Sequence, residues 1–227
     1  MKKMVAVQIT FLILFAGAVG GMLTTTDVYK EVQRKIVEEL CLSCIKLKPN
    51  TIKEYRFLPT GQSHPDFILE NLSKGPIVLD YRITFCPGCN DLEEYVLEGV
   101  FETTFPNPLS DNDNNEVPDL VYLEKEFQDT PVTFIHFNTG DSNSLDVPIG
   151  GEYDKSREIY DINGFGGNPM LVFITYGYSH GFIEPMYCTL YSVGSGNYKE
   201  EPEKIQAEFV DLINEAVDLY NEHVGAH

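Results

Sequence analysis

The chain has 227 residues, 43% hydrophobic and 12% aromatic, enough for one sizeable core with an appendage. Lys and Arg number 16 against 35 Asp and Glu, a formal charge of −19. So acidic a surface repels phosphate backbones and anionic lipid headgroups, which argues against nucleic-acid binding and against a polybasic membrane-surface role.

Lys2 and Lys3 precede an apolar run, Val5 to Val19, broken only by Gln8 and Thr10, and Ala16-Gly17-Ala18 supplies small residues suited to a cleavage site. Extended from Met4 to Leu23, the run has the length of a membrane-crossing helix. A cleaved signal peptide and an uncleaved anchor both fit residues 1–23. Either places Lys2 and Lys3 in the cytoplasm and the rest of the chain outside it, where cysteines are free to pair.

Thr24 to Leu47 has the pattern of a helix, with Val28, Val32, Ile36 and Leu40 four apart, Cys41 and Cys44 near its end, and Pro49-Asn50 as the stop. A short strand is expected over Thr51–Leu58, a short helix over Asp66–Ser73, and the strongest strand over Ile77–Phe85. Pro87–Phe101 follows as a helix, with Leu92, Tyr95, Val96 and Val100 on one face and Asp91, Glu93 and Glu94 in its first turn, where negative charge suits the helix dipole. After a polar loop, a helix is expected over Asp119–Gln128 and a strand over Val132–Phe137. Tyr153–Tyr160 reads as a helix and Met170–Tyr176 as a strand. Phe182–Val193 reads as a strand or hairpin half, and Pro202–His223 as an amphipathic closing helix. Strands alternating with helices predict an α/β fold, a central sheet covered on both faces. The division is residues 1–23 as signal peptide or anchor, 24–50 as a helical extension carrying Cys41 and Cys44, and 51–227 as one domain.

The chemistry concentrates where the strong strand hands over to a helix, at Cys86-Pro87-Gly88-Cys89. A cysteine in the first turn of a helix meets unpaired backbone N–H groups and the positive end of the dipole, both of which favour the thiolate. A Cys86 thiolate would attack a partner disulfide, and Cys89, one turn further in, would displace the partner. Pro87 suits an early helical position, where its missing N–H costs nothing. Cys89 must lose a proton as it attacks, and Asp80, a carboxylate inside the strand, is the candidate acceptor. The competing reading of Asp80 is a strand residue in a salt bridge with Arg82.

Other readings of the cysteines stay open. Cys86 and Cys89 could form a structural disulfide, or half of a zinc site with Cys41 and Cys44, although about forty residues separate the two pairs and compact zinc sites have shorter spacers. Cys41 and Cys44, three apart on one helix face, fit a second redox pair, a relay to Cys86–Cys89 or two core cysteines. Cys188 in a strand-like run reads as a buried apolar residue. Asp111 to Asp119 alternates oxygen side chains like a calcium loop, but Glu116 stands where a glycine makes the turn and Tyr122 falls where a bidentate ligand is needed, so it reads as a solvated loop. The five histidines are scattered and form no ligand pair in sequence, and no metal or cofactor is expected.

The order of elements resembles the thioredoxin fold from about Thr51 to the C-terminal helix. The residues carrying the resemblance are Cys86-Pro87-Gly88-Cys89 at the start of a helix, Asp80 six positions before the first cysteine, and Asn168-Pro169 opening the strand Met170-Leu171-Val172-Phe173. The resemblance implies a cis-proline at Pro169 and a partner docked along Asn168, Pro169, Pro87 and Gly88. It implies a thiol–disulfide oxidoreductase acting on protein thiols and disulfides outside the cytoplasm, exchanging electrons with a membrane donor or acceptor. The Pro-Gly pair lacks the histidine of strongly oxidising relatives, which tilts the expectation to reductase or isomerase work. The alternatives are a reductase for cytochrome c maturation and a non-catalytic scaffold with a structural disulfide.

Overall fold

The structure is a computed structural model that describes residues 53–83, 86–105, 120–138, 152–161 and 167–224. The chain divides into two units, Met1–Cys41 and Leu42–His227, and every described residue lies in the second. The expectations for residues 1–52, with Cys41 and Cys44, and for the acidic loop up to Asp119 fall outside the described residues.

Among the described residues, six strands form one mixed sheet: β1 (Arg56–Phe57), β2 (Ile77–Arg82), β3 (Leu120–Phe127), β4 (Thr130–Asn138), β5 (Met170–Ser179) and β6 (Phe182–Leu190), in the order β1-β6-β5-β2-β4-β3. Only β2 and β4 pair in parallel; the other neighbours are antiparallel. The helices are α1 (Asp66–Leu72), α2 (from Pro87 to Phe101), α3 (Glu152–Tyr160) and α4 (Pro202–Val224). α4 is the longest of these at 23 residues, yet it is amphipathic, and no helix among the described residues is long and apolar enough to cross a membrane.

β2 is central and buried throughout, as expected of a strand covered on both faces. Its side chains alternate between two cores. Val78 packs with Leu92, Val96, Val100 and Phe101 of α2, Phe134 of β4 and Phe209 and Ile213 of α4. Ile77, Leu79 and Tyr81 pack on the opposite face with Phe67, Ile68 and Leu72 of α1 and Tyr160 of α3. The period of two therefore puts Asp80 and Arg82 on the α2 side of the sheet with Val78. The same alternation in β4 puts His136 on that side, because Val132 and Phe134 belong to the first core and Ile135 and Phe137 to the second.

The expected helix over Asp119–Gln128 is instead β3. Val121, Leu123, Lys125 and Phe127 are half-buried while Tyr122, Glu124 and Glu126 are exposed, an alternation only a strand can present. Leu120, Leu123 and Phe127, spaced three and four apart among glutamates and a lysine, imitate a helix; cross-strand pairing with β4 overrides that local preference. Gln128 and Asp129, both at positive φ (50° and 60°), close the β3–β4 hairpin in a two-residue turn of the type that matches strand twist.

Candidate functional site

Cys86 caps the N-terminus of α2. Its sulfur accepts a hydrogen bond from the Cys89 N–H at 3.2 Å, its carbonyl accepts from the N–H groups of Cys89 and Asn90, and Pro87 occupies the first helical turn. Cys86 and Cys89 are joined in a disulfide, with Cα atoms 5.2 Å apart. Both cysteines are buried, whereas Pro87 and Gly88 between them keep partial exposure.

The Asn168–Pro169 bond is cis. Tyr81 pairs with Met170 across the antiparallel β2–β5 ladder, so Asn168 and Pro169 lie at the end of the sheet from which β2 runs on toward Cys86. Both residues are buried.

Under the helix lies a cluster of buried ionisable groups. In register on the parallel ladder, Asp80 faces His136, and Asp80 Oδ2 and His136 Nδ1 hydrogen-bond at 2.8 Å; toward an ionised carboxylate the ring nitrogen is the donor. Arg82, fully buried, donates from Nη1 to Glu93 Oε2 at 2.5 Å and from Nη2 to Asn90 Oδ1 at 2.7 Å. Arg82 thus ties the sheet to two residues of α2, while Asp80 meets His136. Asp80, Glu93 and His136 each bring one oxygen or nitrogen within 4.8 Å of the others. Asp80 Oδ1 and Glu93 Oε1 are buried without a hydrogen-bond partner.

A change of helical pitch begins at Glu93. α2 is α-helical over Pro87–Leu92, winds as a π-helix over Glu93–Leu97 and returns to α over Glu98–Phe101. The sequence offers Glu93 as one of three acids suited to the helix dipole; the structure leaves it 4% exposed. Burial raises its carboxyl to about 7, against the lowering pull of Arg82 and His136 and with the repulsion of Asp80 on the raising side. The Phe105 ring, its centroid 5.3 Å from that of His136, and Tyr198, whose hydroxyl burial pushes up to about 12, close the cluster from neighbouring loops.

The donor set of Asp80, Glu93 and His136 could in principle interest a cation. Here, though, one atom of each acid is already committed, to His136 and to Arg82, and the guanidinium supplies the positive charge a cation would bring. The arrangement is a buried, hydrogen-bonded cluster of ionisable groups under the helix that carries the Cys86–Cys89 disulfide.

What the structure defines is an α/β protein with a mixed six-stranded sheet flanked by helices and a Cys-x-x-Cys disulfide at a helix start. Comparison with protein families, with curated proteins and with solved structures finds no match.

Proposed function

We propose that this chain is a thioredoxin-like thiol–disulfide oxidoreductase acting on protein disulfides outside the cytoplasm. The observation that carries the reading is the Cys86–Cys89 disulfide across the first turn of α2, directly after the central strand. The topology supports it: β2, β4, β5 and β6 stand in the order β4-β2-β5-β6, with β5 antiparallel to its neighbours, the strand order of a thioredoxin-like core. The apolar run after Lys2 and Lys3 supports the compartment.

In the reduced protein the Cys86 thiolate attacks one sulfur of a partner disulfide and the other partner thiolate leaves. Cys89 then attacks Cys86 Sγ, the mixed disulfide breaks, and the second partner thiolate departs. The partner disulfide gains two electrons and the Cys86–Cys89 dithiol loses them. The partner's backbone docks along Asn168 and Pro169, with Pro87 and Gly88 as the accessible surface over the sulfurs. A membrane thiol–disulfide partner returns the chain to the dithiol.

The burial of both cysteines favours a second reading, a scaffold whose disulfide is structural. Insulin reduction by the full chain with dithiothreitol as electron source separates the two. On the first reading the wild type accelerates insulin precipitation, Cys86→Ser abolishes the acceleration, and Cys89→Ser accumulates a mixed disulfide with insulin. A wild type no faster than dithiothreitol alone, or full activity in Cys86→Ser, overturns it.

A further inference from the structure

Glu93 is the group that the sequence does not point to and that the fold builds deliberately. It lies four residues after Cys89 on the same helix, so the two side chains share one face. It is held by Arg82, whose second arm holds Asn90, the residue next to Cys89. Its outer oxygen, Oε1, is buried and unpartnered, as is Asp80 Oδ1. The charged and titratable groups acting on it from the packed elements are Asp80 and Arg82 from β2 and His136 from β4, with Cys89 one turn earlier on its own helix.

Two buried acids share this cluster, and one oxygen of each has no donor. One added proton would give an orphan oxygen its hydrogen. Asp80 is committed to His136, so the site for that proton is Glu93 Oε1.

Resting on the oxidoreductase reading, we propose that Glu93, with Arg82 as its positioning partner, accepts the Cys89 proton during the resolving step. The Cys89 S–H proton passes to Glu93 Oε1 as the Cys89 sulfur bonds to Cys86 Sγ. The bond from Cys86 Sγ to the partner sulfur breaks, and the departing partner thiolate takes a proton from solvent. The dithiol is oxidised and the partner disulfide reduced, and Glu93 returns its proton when Cys86–Cys89 is next reduced. The negative charge of Asp80 favours keeping the proton on Glu93 in the disulfide form.

Two measurements on the full chain test this. The first uses the oxidised wild type and needs no activity: an infrared pH titration follows the carbonyl stretch of a protonated carboxyl. A band that disappears with a midpoint near pH 7 and is missing in Glu93→Gln is expected; a wild-type spectrum without such a band between pH 5 and 9 overturns the proposal. The second is single-turnover release of glutathione from the Cys86–glutathione mixed disulfide across pH. In Glu93→Gln the release rate should fall about 100-fold and lose its inflection, the scale of a positioned proton acceptor, while the pH dependence of Cys86 alkylation in the reduced protein stays as in wild type. Release with wild-type rate and pH profile in Glu93→Gln overturns the proposal. A wild type that never releases glutathione refutes the oxidoreductase reading instead, and the infrared result then stands or falls alone.

Discussion

His136 sits directly across the parallel β2–β4 ladder from Asp80, and their side chains meet at 2.8 Å where neither is more than 3% exposed. Removing the imidazole leaves a buried carboxylate with neither oxygen paired. His136→Phe should therefore destabilise the fold by about 1–3 kcal/mol, the cost of orphaning a buried acceptor. Urea unfolding at pH 8 reads it. In Asp80→Asn the amide can still meet the ring, so its loss should be smaller; an equal or larger loss would show that the pair is not held as described.

Arg82 and Glu93 form a buried ion pair joining the sheet to α2. Breaking it from one side strands the other charge. Arg82→Met alone should cost about 3–5 kcal/mol at pH 8, while Arg82→Met combined with Glu93→Leu should recover most of that loss, because two apolar side chains need no mutual compensation. A double-mutant cycle by urea unfolding checks the coupling; strictly additive losses would refute it.

The carboxyl of Glu93 sits near 7 in the folded state against an ordinary value of 4.5. A raised acid binds its proton more tightly folded than unfolded, so between pH 4.5 and 7 the folded chain carries the extra proton. The stabilisation is complete below pH 4.5 and is lost as pH climbs through 7; at 1.36 kcal/mol per unit it amounts to about 3 kcal/mol. Measured as wild type minus Glu93→Gln in urea unfolding, the stability difference should fall between pH 4.5 and 7.5 and level off above. A difference independent of pH would refute the assignment.

The strand-to-helix passage at Cys86 was legible because β2 is a largely apolar run, buried on both faces, and because Pro87 marks a helix start. Asp80 stood out for its offset from the cysteines. Three things were not legible. β3 carries helix-forming glutamates and a lysine at strand positions, so its local preference and its tertiary role disagree. His136 becomes a partner of Asp80 only through the β2–β4 register, which nothing within either strand announces. Glu93 reads in sequence only as a first-turn acid suited to the dipole, and a regular α-helical pattern contains no hint of the wider turn that begins at that residue.

The π turn has a consequence for how this helix tolerates change. Such a turn holds one residue more than an α turn, so Glu93–Leu97 acts as a single-residue insertion that puts the two ends of α2 out of phase. Rewinding this segment as regular α-helix with no change of length would rotate one end by about 100° relative to the other. Either Cys89, Asn90 and Glu93 would swing away from Arg82, or Val100 and Phe101 would leave the core. The helix therefore carries two angular frames, one set by the cysteine pair and one by the apolar core, and the extra residue of the π segment is what lets this sequence satisfy both.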